Sequence, residues 1–299
     1  RAITSPAGTA DVMETLTRVE LDVPAMKRVV EREGGCIIWG GAMRLSPADD
    51  ILIRVERPLD IDSEGQLVAS VLSKKSAAGS SHVVIDIPVG ATAKVRSPEA
   101  AALLGKRLID VGHAIGLDVH TVITDGSQPV GRGVGPALEA WDVLAVLQGK
   151  SSAPVDLRER ALRIAGQVLE FDPNVPAGEG IHIAREILDD GRAWKKFQAI
   201  CEAQGGLREP PISTHTHVVT AQAAGRVDAI DNRRLARIAK LAGAPRARAA
   251  GLELHTPLGV TVERGQPLFT VHAETPGELD YALHYVNAQP DIIDIHPDA

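Results

Sequence analysis

The side chains of this sequence that can do chemistry lie mainly where helices begin and strands end. Residues 5–9 read Ser-Pro-Ala-Gly-Thr and lead directly into a helical pattern. Their hydroxyls and backbone amides, together with the helix N-terminus, suit an anion such as phosphate, although a plain capping turn is the simpler explanation on spacing alone. Residues 60–65 form an acidic turn, Asp-Ile-Asp-Ser-Glu-Gly, before another helix. Helix capping and a chemical role explain that turn equally well.

Two lysines and a serine are further candidates for ligand binding. Ser70 and Lys74 are four residues apart in a helical pattern, so they share one face and can hydrogen-bond a planar ligand that carries carbonyl groups. Lys94 follows a Pro-Val-Gly-Ala turn at the end of a strand pattern, which is the edge where α/β proteins bind ligands. A solvated surface residue is the ordinary alternative for all three.

Several familiar motifs are excluded. The Gly-Arg-Gly-Val-Gly run at 131–135 lacks the third glycine and the following acidic residue of a dinucleotide fingerprint, so we interpret it as a tight turn. His215 and His217 could bind a metal but fit an interdomain linker better, and Cys36 and Cys201 lack the spacing of a zinc site or a disulfide framework. No Gly-x-Ser-x-Gly elbow or Walker loop occurs. We therefore predict neither a metal nor an organic cofactor.

Strand and helix patterns alternate in the first two thirds of the chain. Apolar β-branched runs at 82–90 and 118–124 alternate with helical patterns at 98–115 and 136–147. This order predicts right-handed crossovers and a largely parallel sheet, with ligands bound beyond the carboxyl ends of the strands. One more strand pattern lies at 36–39, and further helical patterns lie at 11–16, 24–33, 67–78, 156–169 and 181–204.

The character of the sequence changes after a Pro-Pro linker at 210–211. Glycine turns and short β runs at 217–221, 225–230, 259–262 and 267–272 follow, with helical patterns at 233–242 and 278–288. We therefore predict an α/β fold in residues 1–212, with a mixed, mainly parallel sheet and flanking helices, and a small C-terminal α+β domain in residues 213–299.

The overall composition excludes some classes of partner. A net charge of −7 argues against a general surface for nucleic acid or anionic membranes, although it allows a local basic pocket for one phosphate. No run approaches the roughly 18 apolar residues of a membrane span, and no signal peptide pattern is visible. We predict a cytoplasmic protein that binds neither nucleic acid nor membranes.

Four separated motifs carry a resemblance to a known family. They are Arg-Ala-Ile-Thr-Ser-Pro-Ala-Gly-Thr-Ala-Asp at 1–11, Pro-Ala-Asp-Asp at 47–50, Ser-Val-Leu-Ser-Lys-Lys at 70–75 and Val-Ile-Asp-Ile-Pro-Val-Gly-Ala-Thr-Ala-Lys at 84–94. In this order they resemble the thymidine phosphorylase superfamily, most closely its type 2 branch, which includes AMP phosphorylases and bacterial thymidine phosphorylase-like proteins. The resemblance covers essentially the whole chain and implies a helical lobe, an α/β lobe and a small C-terminal α+β domain.

The resemblance also implies a reaction and a set of site residues. The family replaces the base on C1 of ribose or deoxyribose with inorganic phosphate as co-substrate, without a cofactor, in a homodimer or higher oligomer. Asp62 matches the proton donor to the leaving base, which requires a protonated carboxyl. Lys74, with Ser70, matches residues that hold the base carbonyls in pyrimidine-specific relatives, and Glu139 resembles a glutamate that helps hold a monovalent cation in some of them. The residues implied to bind substrate are Arg1, Ala2, Ile3, Thr4, Ser5, Thr9, Ser70, Lys74 and Lys94.

The sequence leaves several functions open. The leading hypothesis is phosphorolysis of thymidine or a related pyrimidine nucleoside, and the alternative substrate is AMP or another nucleoside monophosphate. A catalytically inactive nucleotide-binding protein is a second alternative, whereas a purely structural oligomer module leaves Asp62, Ser70, Lys74 and Lys94 unexplained. The family's phosphate loop of lysine and serine precedes the segment that matches Arg1, so we expect the chain by itself to fold but to show little phosphorolysis.

Overall fold

The computed structural model describes residues 1–2, 5–43, 64–289 and 291–296, of which residues 42 and 43 contribute backbone only. In these ranges the helices are α1 (Thr9–Leu16), α2 (Val23–Glu33), α3 (Glu64–Ala77), α4 (Pro98–Ala114), α5 (Pro136–Leu147), α6 (Val155–Leu169), α7 (Gly180–Asp189), α8 (Arg192–Ala203), α9 (Asn232–Leu241) and α10 (Pro276–Asn287), with a 3-10 turn at Gly40–Met43. The strands are β1 (His82–Val89), β2 (Asp118–Asp125), β3 (Gly133–Val134), β4 (His215–Thr220), β5 (Gly225–Ile230), β6 (Gly251–Leu254), β7 (Thr261–Val262), β8 (Pro267–Ala273) and β9 (Ile293–His296).

The centre of the α/β part is the parallel pair β1 and β2. Their register runs from His82 opposite Asp118 to Val89 opposite Asp125, and α4 makes the crossover between them. The Ser97 side chain caps α4 by accepting a hydrogen bond from the backbone N–H of Ala100 at 3.2 Å. Apolar side chains of α3, α4 and both strands form one buried cluster, so the sheet and its helices fold as a unit.

The helical part packs around α1 and α5. Leu16 of α1, Ala140 of α5 and Cys201 of α8 are completely buried in a second apolar cluster. The connection between α1 and α8 also carries polar contacts, since the buried Thr17 hydroxyl donates to the carbonyl of Cys201 at 3.0 Å. The N-terminal loop is therefore anchored through α1 to α5 and α8.

Two predictions of local structure were wrong. Residues 36–39 were predicted as a strand but have no regular structure. The Gln204 side chain takes the place of a neighbouring strand, because it accepts from Ile37 N at 2.8 Å and donates to Ile37 O at 2.9 Å. The helix predicted at 181–204 is divided into α7 and α8 by Gly191, whose φ of 81° lies in the left-handed region that a helix cannot continue through.

The C-terminal part contains two antiparallel sheets. One has the strand order β3-β6-β8-β4 and the other β7-β5-β9. α9 and α10 pack over them, and Leu235, Ile238, Val262 and Val271 are completely buried in their common core. β3 comes from the first part of the chain, so this sheet extends across the predicted boundary between residues 212 and 213. That boundary stays a prediction.

The predicted α/β fold class is confirmed, with the parallel ladder formed by β1 and β2 and the antiparallel ladders gathered in the C-terminal part. Strands β3, β6 and β9 were not predicted. No helix within the described residues combines the length and the apolar character that crossing a bilayer requires.

Candidate functional site

Asp11 holds the start of the chain against the N-terminus of α1. Its buried carboxylate accepts hydrogen bonds from the backbone N–H of Ala2 at 2.6 Å and of Gly8 at 3.0 Å. Gly8 has no room for a side chain, because a Cβ atom there would lie 2.7 Å from the carbonyl carbon of Arg1. The two ends of this loop are therefore fastened together at one carboxylate.

The predicted substrate residue Arg1 is surrounded by acidic side chains. Its guanidinium lies 2.7 Å from Glu14, 2.6 Å from Glu20 and 3.2 Å from Asp11, and it stacks on the Trp39 ring at 4.8 Å. The hydrogen bond with Glu14 is the main reason that the pKa of Arg1 is raised further above its ordinary value. The structure therefore shows a guanidinium bound by the protein, and its contact with substrate stays a prediction.

The other predicted residues of this loop are more open. Ser5 and Thr9 are exposed, and the Ser5 hydroxyl donates to the carbonyl of Ala7 at 2.7 Å. Thr9 is the first residue of α1, so it lies at the helix N-terminus, where the backbone N–H groups have no partner within the helix. Ile3 and Thr4 lie outside the described residues.

The remaining predicted site residues lie on α3 and after β1. Ser70 and Lys74 are both partly buried and one helical turn apart, as the sequence predicted. Lys94 is exposed in the turn that follows β1. Asp62, the predicted proton donor, lies outside the described residues. The described candidates thus occupy three places: the N-terminal loop, one helical turn of α3 and the carboxyl end of β1.

The turns after β1 and β2 are in close contact. The backbone N–H of Gly126 donates to Val89 O at 2.8 Å, and the N–H of Gly90 donates to Val95 O at 3.1 Å. A side chain at Gly90 would collide with the carbonyl oxygen of Gly126. Glycine at position 90 therefore lets the Lys94 turn lie directly against the turn of the neighbouring strand.

A cluster of polar side chains from β1, β2 and α6 connects the same ends of the two strands. Asp86 of β1 accepts a hydrogen bond from the Thr124 hydroxyl of β2 at 2.6 Å. Arg160 of α6 lies 3.6 Å from the other Asp86 oxygen and donates to the carbonyl of Asp125. These contacts join α6 to both strands close to the turns that follow them.

Two acidic side chains of α5 accept hydrogen bonds from the backbone of the glycine turn at 131–135, which precedes this helix. Asp142 is buried and accepts from the backbone N–H groups of Arg132 at 2.7 Å and Gly133 at 2.8 Å. Glu139 accepts from the N–H of Gly135 at 3.1 Å, and burial raises its pKa to about 7, aided by the charges of Asp142 and Asp11. No set of three His, Cys, Asp or Glu residues in the described ranges could hold a metal ion. The monovalent-cation role of Glu139 stays a prediction.

Sequence reasoning missed Asp11, Asp86 and Arg160 as residues that shape these places. Asp11 had a signal, because it lies three residues after Gly8, the position of the acidic partner in a capping box. Arg160 had none, since nothing in the helical pattern of α6 indicates that it reaches β1 and β2.

Replacing Asp11 with Ala should destabilise the chain by about 2–3 kcal/mol. The change leaves the N–H groups of Ala2 and Gly8 without their acceptor, and an unsatisfied buried donor costs about 1–3 kcal/mol. Urea denaturation measures the loss. Asp22→Ala is the matched control, because it removes one capping bond, to Ala25 N, at the exposed start of α2 and should cost only about 1 kcal/mol. Equal losses for the two variants would contradict a special role for Asp11.

Sequence comparison identifies the class to which this arrangement belongs. Residues 1–194 match the family described as "Glycosyl transferase family, a/b domain", and residues 226–292 match "Pyrimidine nucleoside phosphorylase C-terminal domain". The chain belongs to the thymidine and pyrimidine nucleoside phosphorylase superfamily, as the four motifs predicted.

Several bacterial relatives are similar over nearly all of the chain. "Putative thymidine phosphorylase 1" of Acidovorax sp. (strain JS42) is 68% identical over 299 residues, which are 100% of this chain and 58% of the relative. "Putative thymidine phosphorylase 2" of the same organism is 69% identical over 295 residues, 99% of this chain and 58% of the relative. A "Putative thymidine phosphorylase" of Polaromonas sp. (strain JS666 / ATCC BAA-500) is 66% identical over 299 residues, again 100% and 58%. The chain thus spans 58% of the length of these relatives.

Proposed function

We propose that the protein containing this chain catalyses phosphorolysis of thymidine or a related pyrimidine nucleoside. The products are the free base and deoxyribose or ribose 1-phosphate. The observation that carries the proposal is the pair of family matches, in order, on a chain 66–69% identical to relatives whose names specify thymidine phosphorylase.

The chemistry divides into three tasks that the candidate residues can share. A phosphate oxygen forms a bond to C1 of the sugar while the bond from C1 to the base nitrogen breaks, and the leaving base gains negative charge. Asp62 donates a proton to that base, which lowers the barrier to its departure. The N-terminus of α1 and Lys94 hold anionic or hydroxyl groups of the substrates, so catalysis depends mainly on positioning and charge stabilisation.

Ser70 and Lys74 support recognition of a pyrimidine. They present a hydroxyl and an ammonium group on one turn of α3, and both groups can donate hydrogen bonds to the two carbonyl oxygens of thymine or uracil. AMP is the second candidate substrate, because the same motifs occur in the AMP phosphorylase branch that this chain resembles. A homodimer is the assembly we expect.

Ser70→Ala and Lys74→Ala should each lower kcat/KM for the best substrate by about tenfold or more, because a lost hydrogen bond to a buried ligand group costs about 1–3 kcal/mol. The assay uses a protein of the relatives' full length with phosphate and thymidine, uridine, AMP or CMP, and identifies the sugar phosphate formed. Lys75→Ala is the matched control, since Lys75 is exposed on the same helix.

The assay also separates the alternative functions. A higher kcat/KM for AMP than for thymidine would identify AMP as the substrate. Ligand binding without any product would favour an inactive nucleotide-binding protein, and wild-type kcat/KM in both variants would remove them from the site.

A further inference from the structure

The start of α9 touches the two turns at which the proposed site is built. The Asn232 side-chain amide donates to the carbonyl oxygen of Gly126 at 2.9 Å, and its backbone N–H donates to the Thr92 hydroxyl at 3.3 Å. The guanidinium of Arg233 donates to the Thr92 carbonyl at 3.2 Å. Two consecutive residues of the C-terminal part thus hold the turn after β1 and the turn after β2.

The same helix start is firmly held in the C-terminal core. Asp231 caps α9 by accepting from the backbone N–H groups of Arg233 and Arg234, both at 3.0 Å, and its own N–H donates to Ile292 O at 2.9 Å. Leu235 and Ile238, on the following turns, are completely buried. The backbone that carries Asn232 and Arg233 is therefore held by the C-terminal core, and the exposed Arg233 side chain reaches Thr92 from this fixed position.

A further hydrogen bond connects the C-terminal part of the chain to the turn after β2. The Gln128 side chain accepts a hydrogen bond from the backbone N–H of Leu258 at 2.7 Å. Gly126 also lies against Gly90, so the turn after β2 is in direct contact with the turn that carries Lys94. These four hydrogen bonds and the close glycine pair form one connected unit.

The Asn232 side chain leaves one polar atom unpaired within the described residues, so stability alone does not explain an asparagine at this position. Its Oδ1 atom is buried and has no hydrogen-bond partner among the residues that the structure describes. Burying an acceptor without a partner is unfavourable, and this cost offsets what the single bond to Gly126 contributes. The residue is better explained by the geometry it imposes on Gly126 and Thr92 than by a gain in stability.

We infer that Asn232 and Arg233 are positioning residues that hold the Gly90–Lys94 turn in its substrate-binding place, so that the C-terminal domain sets the geometry of the phosphorylase site. The inference rests on the proposed function for its kinetic consequence. The contacts of Asn232 and Arg233 with Thr92 and Gly126, which we call the clamp, are a property of the fold and are measured separately.

Two variants and one control test the clamp. Asn232→Ala removes the bond to Gly126, and Arg233→Ala removes the bond to the Thr92 carbonyl. Arg237→Ala is the matched control, because Arg237 is an exposed arginine one turn further along α9. In hydrogen exchange measured by mass spectrometry, we expect peptides covering 90–94 and 126–128 to exchange faster in both variants and to be unchanged in Arg237→Ala.

The kinetic arm uses a protein of the relatives' full length. We expect KM for the nucleoside or phosphate to rise about tenfold with kcat nearly unchanged, since a loosened Lys94 loses binding that ground state and transition state share. Arg233→Lys should recover part of the loss, because it restores a donor to Thr92. A lower Tm with unchanged exchange at 90–94 and unchanged KM would overturn the inference and leave a structural contact. If the unmodified protein shows no phosphorolysis, the proposed function fails and the exchange experiment still decides whether the clamp exists.

Discussion

Asp62→Asn in a protein of the relatives' full length should lower kcat for phosphorolysis by about 10²–10⁴-fold, the range that general acid catalysis usually contributes. The amide keeps the shape of the carboxyl but cannot transfer a proton to the departing base. The unmodified enzyme should lose kcat as pH rises through the pKa of the donor, because only the protonated acid is active, and the variant should lack that limb of the profile.

The alternative role of Asp62 is a cap for the helix that begins just after it. Asparagine caps a helix about as well as aspartate, so a capping role predicts that both Tm and kcat stay close to the unmodified values. Asp60→Asn is the matched control, since it makes the same change two residues earlier in the same acidic turn. An unchanged kcat in Asp62→Asn, with unchanged Tm, would remove this residue from the mechanism.

Glu139→Gln should flatten the pH dependence of stability between about pH 5 and 8. The folded-state pKa of Glu139 is raised to about 7 from an ordinary value of 4.5, so between these values the folded chain binds more protons than the unfolded chain. Stability is therefore highest at acidic pH in this window and falls as pH rises through 7. The full shift corresponds to about 3 kcal/mol, an upper limit because the side chain is partly exposed to solvent.

Urea denaturation of the chain at pH 5, 6, 7 and 8 measures this effect. The Gln variant keeps a carbonyl oxygen that can accept from Gly135 N–H but cannot ionise, so its free energy of unfolding should no longer fall across the window. Glu31→Gln, at an exposed position of α2, is the control and should follow the unmodified chain. A variant that loses stability with rising pH as steeply as the unmodified chain would show that Glu139 is not the group responsible.

The local elements could be predicted because their causes lie within a few residues. The β-branched run that became β1 and the helical pattern that became α5 have bounds within one residue of the prediction. Ser70 and Lys74 share a face because a helix repeats every 3.6 residues. The four motifs were sufficient to identify the family, because motifs and their order are read directly from the sequence and require no coordinates.

Other features depend on partners that are distant in the sequence. Residues 36–39 are irregular because Gln204, 167 residues from Ile37, satisfies the backbone groups that a strand would have paired. β3 is a strand only because β6, more than a hundred residues later, lies beside it. No periodicity within a short window contains either contact.

The candidate site divides in the same way. The sequence by itself determined the family, the fold class and the residue types available for binding: the hydroxyls of the N-terminal loop, the Ser70 and Lys74 pair, and Lys94 after β1. Only the tertiary structure decided that carboxylates surround Arg1 and that Asn232 holds the turn that carries Lys94. The reason is physical: chain order sets local geometry, whereas the partner of a charge or a backbone amide is whatever the packed helices and strands bring within about 3 Å of it.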